Sequence, residues 1–125
     1  MPAFEEPRAD AAPVRRFRDP LYQPRAATLG ALRQKIDALD VQIVELLATR
    51  ALCVRDATRF KRDAFQVAAP ERQAEVFARV RQQAAAHGAE FPGLADIVEA
   101  AYRVLVVGFI AGEERFFTET EPLQP

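Results

Sequence analysis

The stretch LGALRQKIDALDVQIVELLATRALCVRDATRFK, residues 29–61, decides the fold, because it carries an apolar stripe whose spacing is never interrupted. Its apolar positions recur in alternating steps of three and four residues, which is the spacing of one face of an α-helix. The same stripe carries two cations, Arg50 and Lys61. Its apolar members are Leu29, Leu32, Ile36, Leu39, Ile43, Leu46, Val54 and Ala57. The stretch therefore predicts one long amphipathic helix with charges where burial is expected.

The length of this helix predicts a partner. Thr28 is suited to cap its start, and we expect it to run to about Arg62. At the usual rise per residue it would be about 50 Å long. A chain of 125 residues cannot cover the apolar face of so long a helix by itself. The sustained spacing therefore favours a homodimer in which a second copy packs along the helix.

Two further helices are predicted after a connector at residues 63–69. The second opens at Pro70, which fits the first helical position, and ends near Gly88, which is suited to a C-cap. The third runs from about residue 91 to 117, and its apolar content predicts that it is the most buried of the three. Gly108 and Gly112 would weaken an exposed helix, so we expect another backbone or a ligand to approach them closely. The predicted fold class is all-α, with three helices per chain.

The helical domain is predicted at residues 28–118, between an N-terminal arm at 1–27 and a C-terminal tail at 119–125. The arm combines prolines with charges of both signs and shows no periodicity, which predicts a disordered or loosely packed segment. Its sequence RRFR, residues 15–18, is balanced by acidic residues elsewhere in the arm. We interpret it as a solvated tail rather than a nucleic-acid patch.

Composition excludes several classes of partner. The formal net charge is −1, so no global field favours nucleic acid or an anionic membrane. No run approaches the roughly 20 apolar residues that span a bilayer, and the N-terminus has no apolar core of a secretory signal. The expected location is cytoplasmic. Cys53 is the single cysteine, which is typical of a reducing compartment, and its mid-helix position predicts a buried structural thiol.

Most kinds of catalytic machinery are also excluded. One histidine and one cysteine cannot form a metal-ligand constellation, so no metal site is predicted. The chain contains no serine, which excludes a serine nucleophile, and it lacks a glycine-rich phosphate loop. If the protein is an enzyme, we expect it to work without a cofactor.

The charges that remain to be explained point to a small anion. Arg33, Arg50, Lys61, Arg72 and Glu113 lie on or beside positions that should be buried, and four of the five are cations. Each cation alone could extend to solvent from the end of a bundle or pair with an acid. Together they would be costly to bury without an anion. Arg33 lies about 25 Å from Arg50 along the helix, so it could serve the same small ligand only from a partner protomer.

Four motifs identify a family resemblance. The pattern LRxxIDxLDxxIvxLLxxR reads from Leu32 to Arg50, and it is followed by RFK, APERQAEV and FIAGEERFF. This combination resembles the all-helical class of chorismate mutase and, within it, the related isochorismate-pyruvate lyase. The resemblance covers residues 28 to 117 and leaves the N-terminal arm unaccounted for. It implies a three-helix chain intertwined with a second copy, whose shared active sites take a small dicarboxylate.

The resemblance also implies roles for individual residues. Arg33 looks like the arginine that crosses from the partner protomer to bind a substrate carboxylate, and Arg50 looks like the arginine that binds the other carboxylate. Lys61 resembles the lysine that donates to the ether oxygen of the breaking bond. Arg72 resembles a positively charged residue at the start of the second helix. An arginine fork matches a carboxylate, whereas lysine delivers a point charge to one oxygen.

Two positions depart from the common pattern of the family. Gln73 stands where a glutamate often binds the ring hydroxyl, and Glu113 stands where many members carry a glutamine that contacts the ether oxygen. Glu113 can donate to that oxygen only when it is protonated. We interpret the sequence as a chorismate mutase. The lyase branch also lacks the glutamate, so Gln73 blurs the choice between the two reactions, although an amide that can still meet a ring hydroxyl leans slightly toward the mutase. The alternatives are an isochorismate-pyruvate lyase and a non-catalytic helical dimer module.

Overall fold

The computed structural model describes residues 4–123, so the first three residues of the predicted arm and the last two of the predicted tail lie outside the described residues. Four α-helices and one 3-10 helix make up the regular structure, and residues 4–123 contain no strand. The fold is therefore all-α, as predicted. The chain divides into two compact units, residues 1–48 and 49–125. The elements are α1 (Leu29–Ala57), a 3-10 helix (Thr58–Phe60), α2 (Ala64–Ala68), α3 (Pro70–Ala85) and α4 (Leu94–Thr118).

In the first unit, α1 begins where its capping chemistry predicts. The hydroxyl of Thr28 accepts a hydrogen bond from the backbone N–H of Ala31 at 3.2 Å, which satisfies one of the unpaired donors of the first turn. The predicted cap is confirmed. Residues 4–27 contain turns and bends but no helix, and nearly all of them are exposed.

The apolar stripe of α1 stays open to solvent within one chain. None of the 29 residues of α1 is buried. Leu39, Ile43 and Leu46 keep 55%, 52% and 69% of their surface exposed. A stripe of large apolar side chains at helical spacing is unusual on the free surface of a protein.

Helix α1 ends earlier than its periodicity predicts. We expected it to reach about Arg62, but it ends at Ala57 and tightens into the 3-10 helix. Thr58 explains the change, because its buried hydroxyl donates back to the carbonyl of Val54 at 3.4 Å. Such a bond competes with regular helix geometry, and 3-10 turns are common where α-helices end. Lys61 consequently lies on extended backbone, with φ −100° and ψ 137°.

The predicted connector at residues 63–69 contains a short helix, α2, which the sequence pattern did not predict. The carboxylate of Asp63 accepts from the backbone N–H of Gln66 at 2.9 Å, and the side-chain oxygen of Gln66 accepts from the N–H of Arg62 at 2.6 Å. This reciprocal capping holds a helix that would be too short to persist alone. Ala69 then joins α2 to α3 in a left-handed conformation, φ 44°.

In the second unit, α3 packs against α4, and the shorter helical elements contact α4 as well. Pro70 occupies the start of α3, which confirms that prediction. The predicted C-cap at Gly88 is wrong, because α3 ends at Ala85 and the right-handed Ala86 caps it. Among the described glycines only Gly93 has positive φ, 90°, and it stands at the N-cap of α4.

The centre of α4 is more open than its sequence predicts. Helix α4 does contribute the buried residues Val106 and Glu113. A methyl group added at Gly108 or Gly112, however, would meet no atom of the described chain within 4 Å. The close approach that we expected at these glycines is therefore absent within residues 4–123. No helix in that range is both long and apolar enough to cross a membrane.

Candidate active site

A cavity of about 330 Å³ opens in the second unit, where the end of α1 faces α3 and α4. Five of the six residues singled out in the sequence line it together, and Arg33 is not among the lining residues. The lining residues are Arg50, Cys53, Val54, Ala57, Lys61, Ala68, Arg72, Gln73, Val76, Val106, Phe109, Ile110 and Glu113. The apolar members form walls, and the charged members are few and specific, as is usual for a small-molecule site.

Lys61 is held by the short helix that the sequence reasoning missed. Its Nζ donates to the backbone carbonyl of Gln66 at 3.0 Å, and only 21% of its side chain is exposed. The carbonyl of Gln66 therefore orients the ammonium group. The signal for this arrangement was present in the sequence as Asp63 followed three residues later by Gln66, a capping pattern.

Glu113 is the most deeply buried charged side chain of the cavity, with 6% of the side chain exposed. Its Oε2 lies 3.6 Å from Nζ of Lys61 and accepts no hydrogen bond from the described residues. Burial raises the pKa of the Glu113 carboxyl because the charged form loses its hydration, and the nearby Lys61 ammonium offsets part of that rise. Glu113 can therefore hold a proton at a higher pH than an exposed glutamate.

Arg50 is half-buried between aromatic rings of α4. Its guanidinium carbon lies 5.1 Å from the ring centroid of Phe109 and 5.7 Å from that of Tyr102. Such contacts favour the cation and limit the orientations of the side chain. The planar fork can bind a carboxylate through two parallel hydrogen bonds.

Arg72 and Gln73 stand in the first turn of α3. The guanidinium of Arg72 is more than half exposed and donates to Glu75 at 3.0 Å. The side-chain N–H of Gln73 donates to the carbonyl of Ala68 at 2.6 Å, at the end of α2. Because that bond uses the amide nitrogen, the amide oxygen remains as an acceptor for a ligand hydroxyl.

Cys53 lies at the edge of the same cavity, which corrects the prediction of a buried structural thiol. It is exposed, and it lines the cavity with Arg50, one helical turn before it. Residues three apart share a helix face, so the face that turns Arg50 into the cavity also turns Cys53 there. Periodicity alone could not show whether that face is core or cavity wall.

Arg33 lies in the first unit, where it is exposed on α1. It is not among the residues that line the cavity, so its predicted binding of a substrate carboxylate stays a prediction. The structure thus brings Arg50, Lys61, Arg72, Gln73 and Glu113 around one space and leaves Arg33 outside it.

The charges of this cavity suit an anion. Three cations, Arg50, Lys61 and Arg72, face one acid, Glu113. A neighbouring cavity of about 310 Å³ differs in this respect. There the arginines Arg55 and Arg59 are offset by Asp56 and Glu119, and Arg59 already pairs with Asp56 at 3.0 Å. The cavity around Lys61 is therefore the better site for a dianion. Residues 4–123 contain no cluster of three or more ligands that could hold a metal ion.

Comparison with known proteins identifies a relative and a family. The chain is 29% identical over 92 residues to a protein of Pseudomonas aeruginosa named isochorismate pyruvate lyase, an overlap that covers 74% of this chain and 87% of the relative. The family described as chorismate mutase type II matches residues 32–114. That match spans nearly all of α1, from residue 32 onward, together with α2, α3 and most of α4, and it includes every residue of the cavity. The chain belongs to the chorismate mutase type II family.

Proposed function

We propose that this protein is a chorismate mutase, which rearranges chorismate to prephenate. The observation that carries the proposal is the cavity in which Arg50 and Lys61 share one space with the buried Glu113. In the rearrangement one C–O bond breaks while one C–C bond forms within a single molecule. The enzyme therefore needs to confine a flexible dianion and place donors at the ether oxygen, where charge develops.

Each cavity residue has a task in this proposal. Arg50 binds one substrate carboxylate, Lys61 donates to the ether oxygen, and Arg72 adds positive charge at the entrance. Glu113, when protonated, donates to the same oxygen as Lys61. Gln73 accepts a hydrogen bond from the ring hydroxyl through its amide oxygen. The 3.6 Å between Nζ of Lys61 and Oε2 of Glu113 supports the shared target, because both groups can point at one oxygen between them.

We further propose that the active protein is an intertwined homodimer with shared sites. The support is the open stripe of α1, in which Leu39, Ile43 and Leu46 remain more than half exposed. A second copy of the same helix would cover these side chains. In that dimer Arg33 crosses to the cavity of the partner and binds the second carboxylate.

A second candidate activity is that of an isochorismate pyruvate lyase. It is favoured by the similarity to the Pseudomonas aeruginosa protein named isochorismate pyruvate lyase. The same cations would bind isochorismate, whose ether bond breaks as a ring hydrogen passes to the departing enolpyruvyl group. This reaction also needs confinement and a donor at the ether oxygen. The mutase is favoured instead by the description of the matching family, chorismate mutase type II.

The deciding experiment incubates the purified protein with chorismate and, separately, with isochorismate, and identifies the products. We expect prephenate from chorismate at a rate well above the uncatalysed reaction. Salicylate plus pyruvate from isochorismate alone would select the lyase. Conversion of neither compound would leave a non-catalytic helical module.

The crossed arrangement predicts complementation between two inactive variants. Arg33→Ala and Arg50→Ala should each abolish most activity, because each leaves one carboxylate unbound. After the two are mixed and subunits exchange, a heterodimer contains one site with both arginines intact and one site with neither. We expect up to about one quarter of the wild-type activity to return, since half of a random mixture is heterodimer. Verified subunit exchange without any recovery of activity would argue against shared sites.

A further inference from the structure

The N-terminal arm is attached to the first turn of α1. The carbonyl of Ala9 accepts a hydrogen bond from the N–H of Gly30 at 2.8 Å, and the carbonyl of Ala11 accepts from the N–H of Leu29 at 3.3 Å. These N–H groups have no partner inside the helix, so the arm satisfies donors that α1 leaves open. The chain between Ala11 and Leu29 is therefore a closed loop whose two ends meet at the start of α1.

A second attachment lies one turn further along α1. The ammonium of Lys35 donates to the backbone carbonyl of Arg25, near the end of the loop. Inside the loop the rings of Phe17 and Tyr22 are in contact, with centroids 4.5 Å apart. Arg33 lies between the two attachments, about 4.5 Å along the helix axis from Gly30 and about 3 Å from Lys35. Wherever Arg33 is placed in an assembly, this loop accompanies it.

The loop is strongly cationic. Residues 12–28 contain four arginines against one aspartate, a formal charge of +3 in a chain whose net charge is −1. Asp19 is occupied in a turn, where its carboxylate accepts from the N–H of Leu21 at 2.9 Å. Arg15, Arg16 and Arg18 are exposed and form no ion pair with any residue from 4 to 123. The acidic residues of the arm, Glu5, Glu6, Asp10 and Asp19, therefore form no direct ion pair with these three side chains.

We propose that this cationic loop, residues 12–28, forms the rim of the partner protomer's active site and attracts its dicarboxylate substrate. The proposal rests on the proposed function, because it needs Arg33 to cross into the partner's cavity. The two attachments flank Arg33 along the axis of α1, although Lys35 projects from a different face of the helix. A helix that delivers Arg33 to the cavity therefore carries the loop to the same end of the site. Charges within about 10 Å of an entrance act on an approaching anion at ordinary ionic strength, and they raise its rate of association.

The first test removes charge from the loop in the full chain. Arg15→Gln combined with Arg16→Gln should lower kcat/KM about fivefold at low ionic strength and leave kcat within twofold of wild type. The difference should shrink as salt is added, because salt screens exposed charges. The matched control, Arg103→Gln with Arg115→Gln, removes the same two charges from exposed positions on α4 outside the cavity. We expect the control to change kcat/KM by less than twofold.

The second test displaces the loop without changing its charge. A methyl group at Gly30 would lie 2.8 Å from the carbonyl oxygen of Ala9, so Gly30→Ala forces the arm to move. The helix itself tolerates alanine better than glycine. We expect Gly30→Ala to lower kcat/KM about as much as the double glutamine variant and to speed cleavage by trypsin at residues 15–18.

The outcomes separate the two proposals. If the wild-type protein converts its substrate and both loop variants keep its kcat/KM and salt dependence, the rim proposal is overturned and the proposed function stands. A decrease in kcat without a decrease in kcat/KM would also overturn the rim proposal, because a charged rim acts on the association of the substrate. If the wild-type protein converts neither chorismate nor isochorismate, both proposals fail.

Discussion

Replacing Lys61 by methionine should lower kcat at least about 100-fold for whichever substrate the wild-type protein converts. Methionine keeps the length and the apolar stem of the side chain but removes the ammonium group. Loss of one preorganised donor at a developing oxygen charge typically costs about 100- to 1000-fold in rate. The donor is preorganised here, because Gln66 holds Nζ at 3.0 Å and Glu113 lies 3.6 Å away. Steady-state kinetics of product formation would measure the loss.

The neighbouring Arg62→Met is the matched control for this change. Arg62 is exposed, it does not line the cavity, and its hydrogen bond to Gln66 uses only the backbone N–H. We expect its kcat to stay within about twofold of wild type. Circular dichroism should show equal helix content in both variants. A Lys61→Met variant that is folded and retains a third or more of the wild-type kcat would refute the assigned role of the lysine.

The second large effect concerns the proton on Glu113. Its pKa is raised by burial, so the protonated, donating form is present below that raised pKa and is lost as the pH rises through it. We expect wild-type kcat to fall with rising pH, by up to about tenfold for each unit above the pKa. Glu113→Gln carries a permanent donor of similar shape, so its profile should remain flat. The ratio of the Glu113→Gln activity to the wild-type activity should therefore increase steadily with pH.

Glu114→Gln is the control for this measurement, because Glu114 is the adjacent residue of α4 and is exposed. Its pH profile should match that of the wild type. A wild-type profile that is flat from acid to alkaline pH, or a Glu113→Gln profile that falls in the same way as the wild type, would contradict the proposed donor. Thermal unfolding at each pH would show whether the protein remains folded across the range.

The same proton affects stability with a sign that can be worked out. A carboxyl whose folded pKa is raised binds its proton more tightly in the folded state than in the unfolded state. The free energy of unfolding therefore falls as pH rises from the ordinary glutamate pKa through the raised one. Glu113→Gln removes this dependence, so it should stabilise the protein relative to wild type more at alkaline than at acid pH. Lys61 reduces the effect without reversing it, because burial is the larger cause of the shift.

The start of a helix was predictable from the sequence where one residue determines it. The cap at Thr28 and the start of α3 at Pro70 follow from hydrogen-bonding groups and ring geometry within a few residues. The capping pattern of Asp63 and Gln66 was equally local, but α2 has only five residues. A helix of that length is too short to show periodicity. It is stable because Asp63 caps it and because Val67 is buried against the rest of the second unit.

The sequence by itself determined that the chain is helical, that α1 carries an apolar stripe, and which charges lie out of place on the helices. These follow from the 3.6-residue period and from the cost of burying charge. Only the tertiary structure decided that Lys61 leaves the helix, that Gln66 orients it, that Cys53 faces a cavity and that Glu113 is buried beside the lysine. The physical reason is that burial and distance between side chains depend on how separate helices pack. Periodicity along one helix gives the direction of a side chain but does not show what lies opposite it.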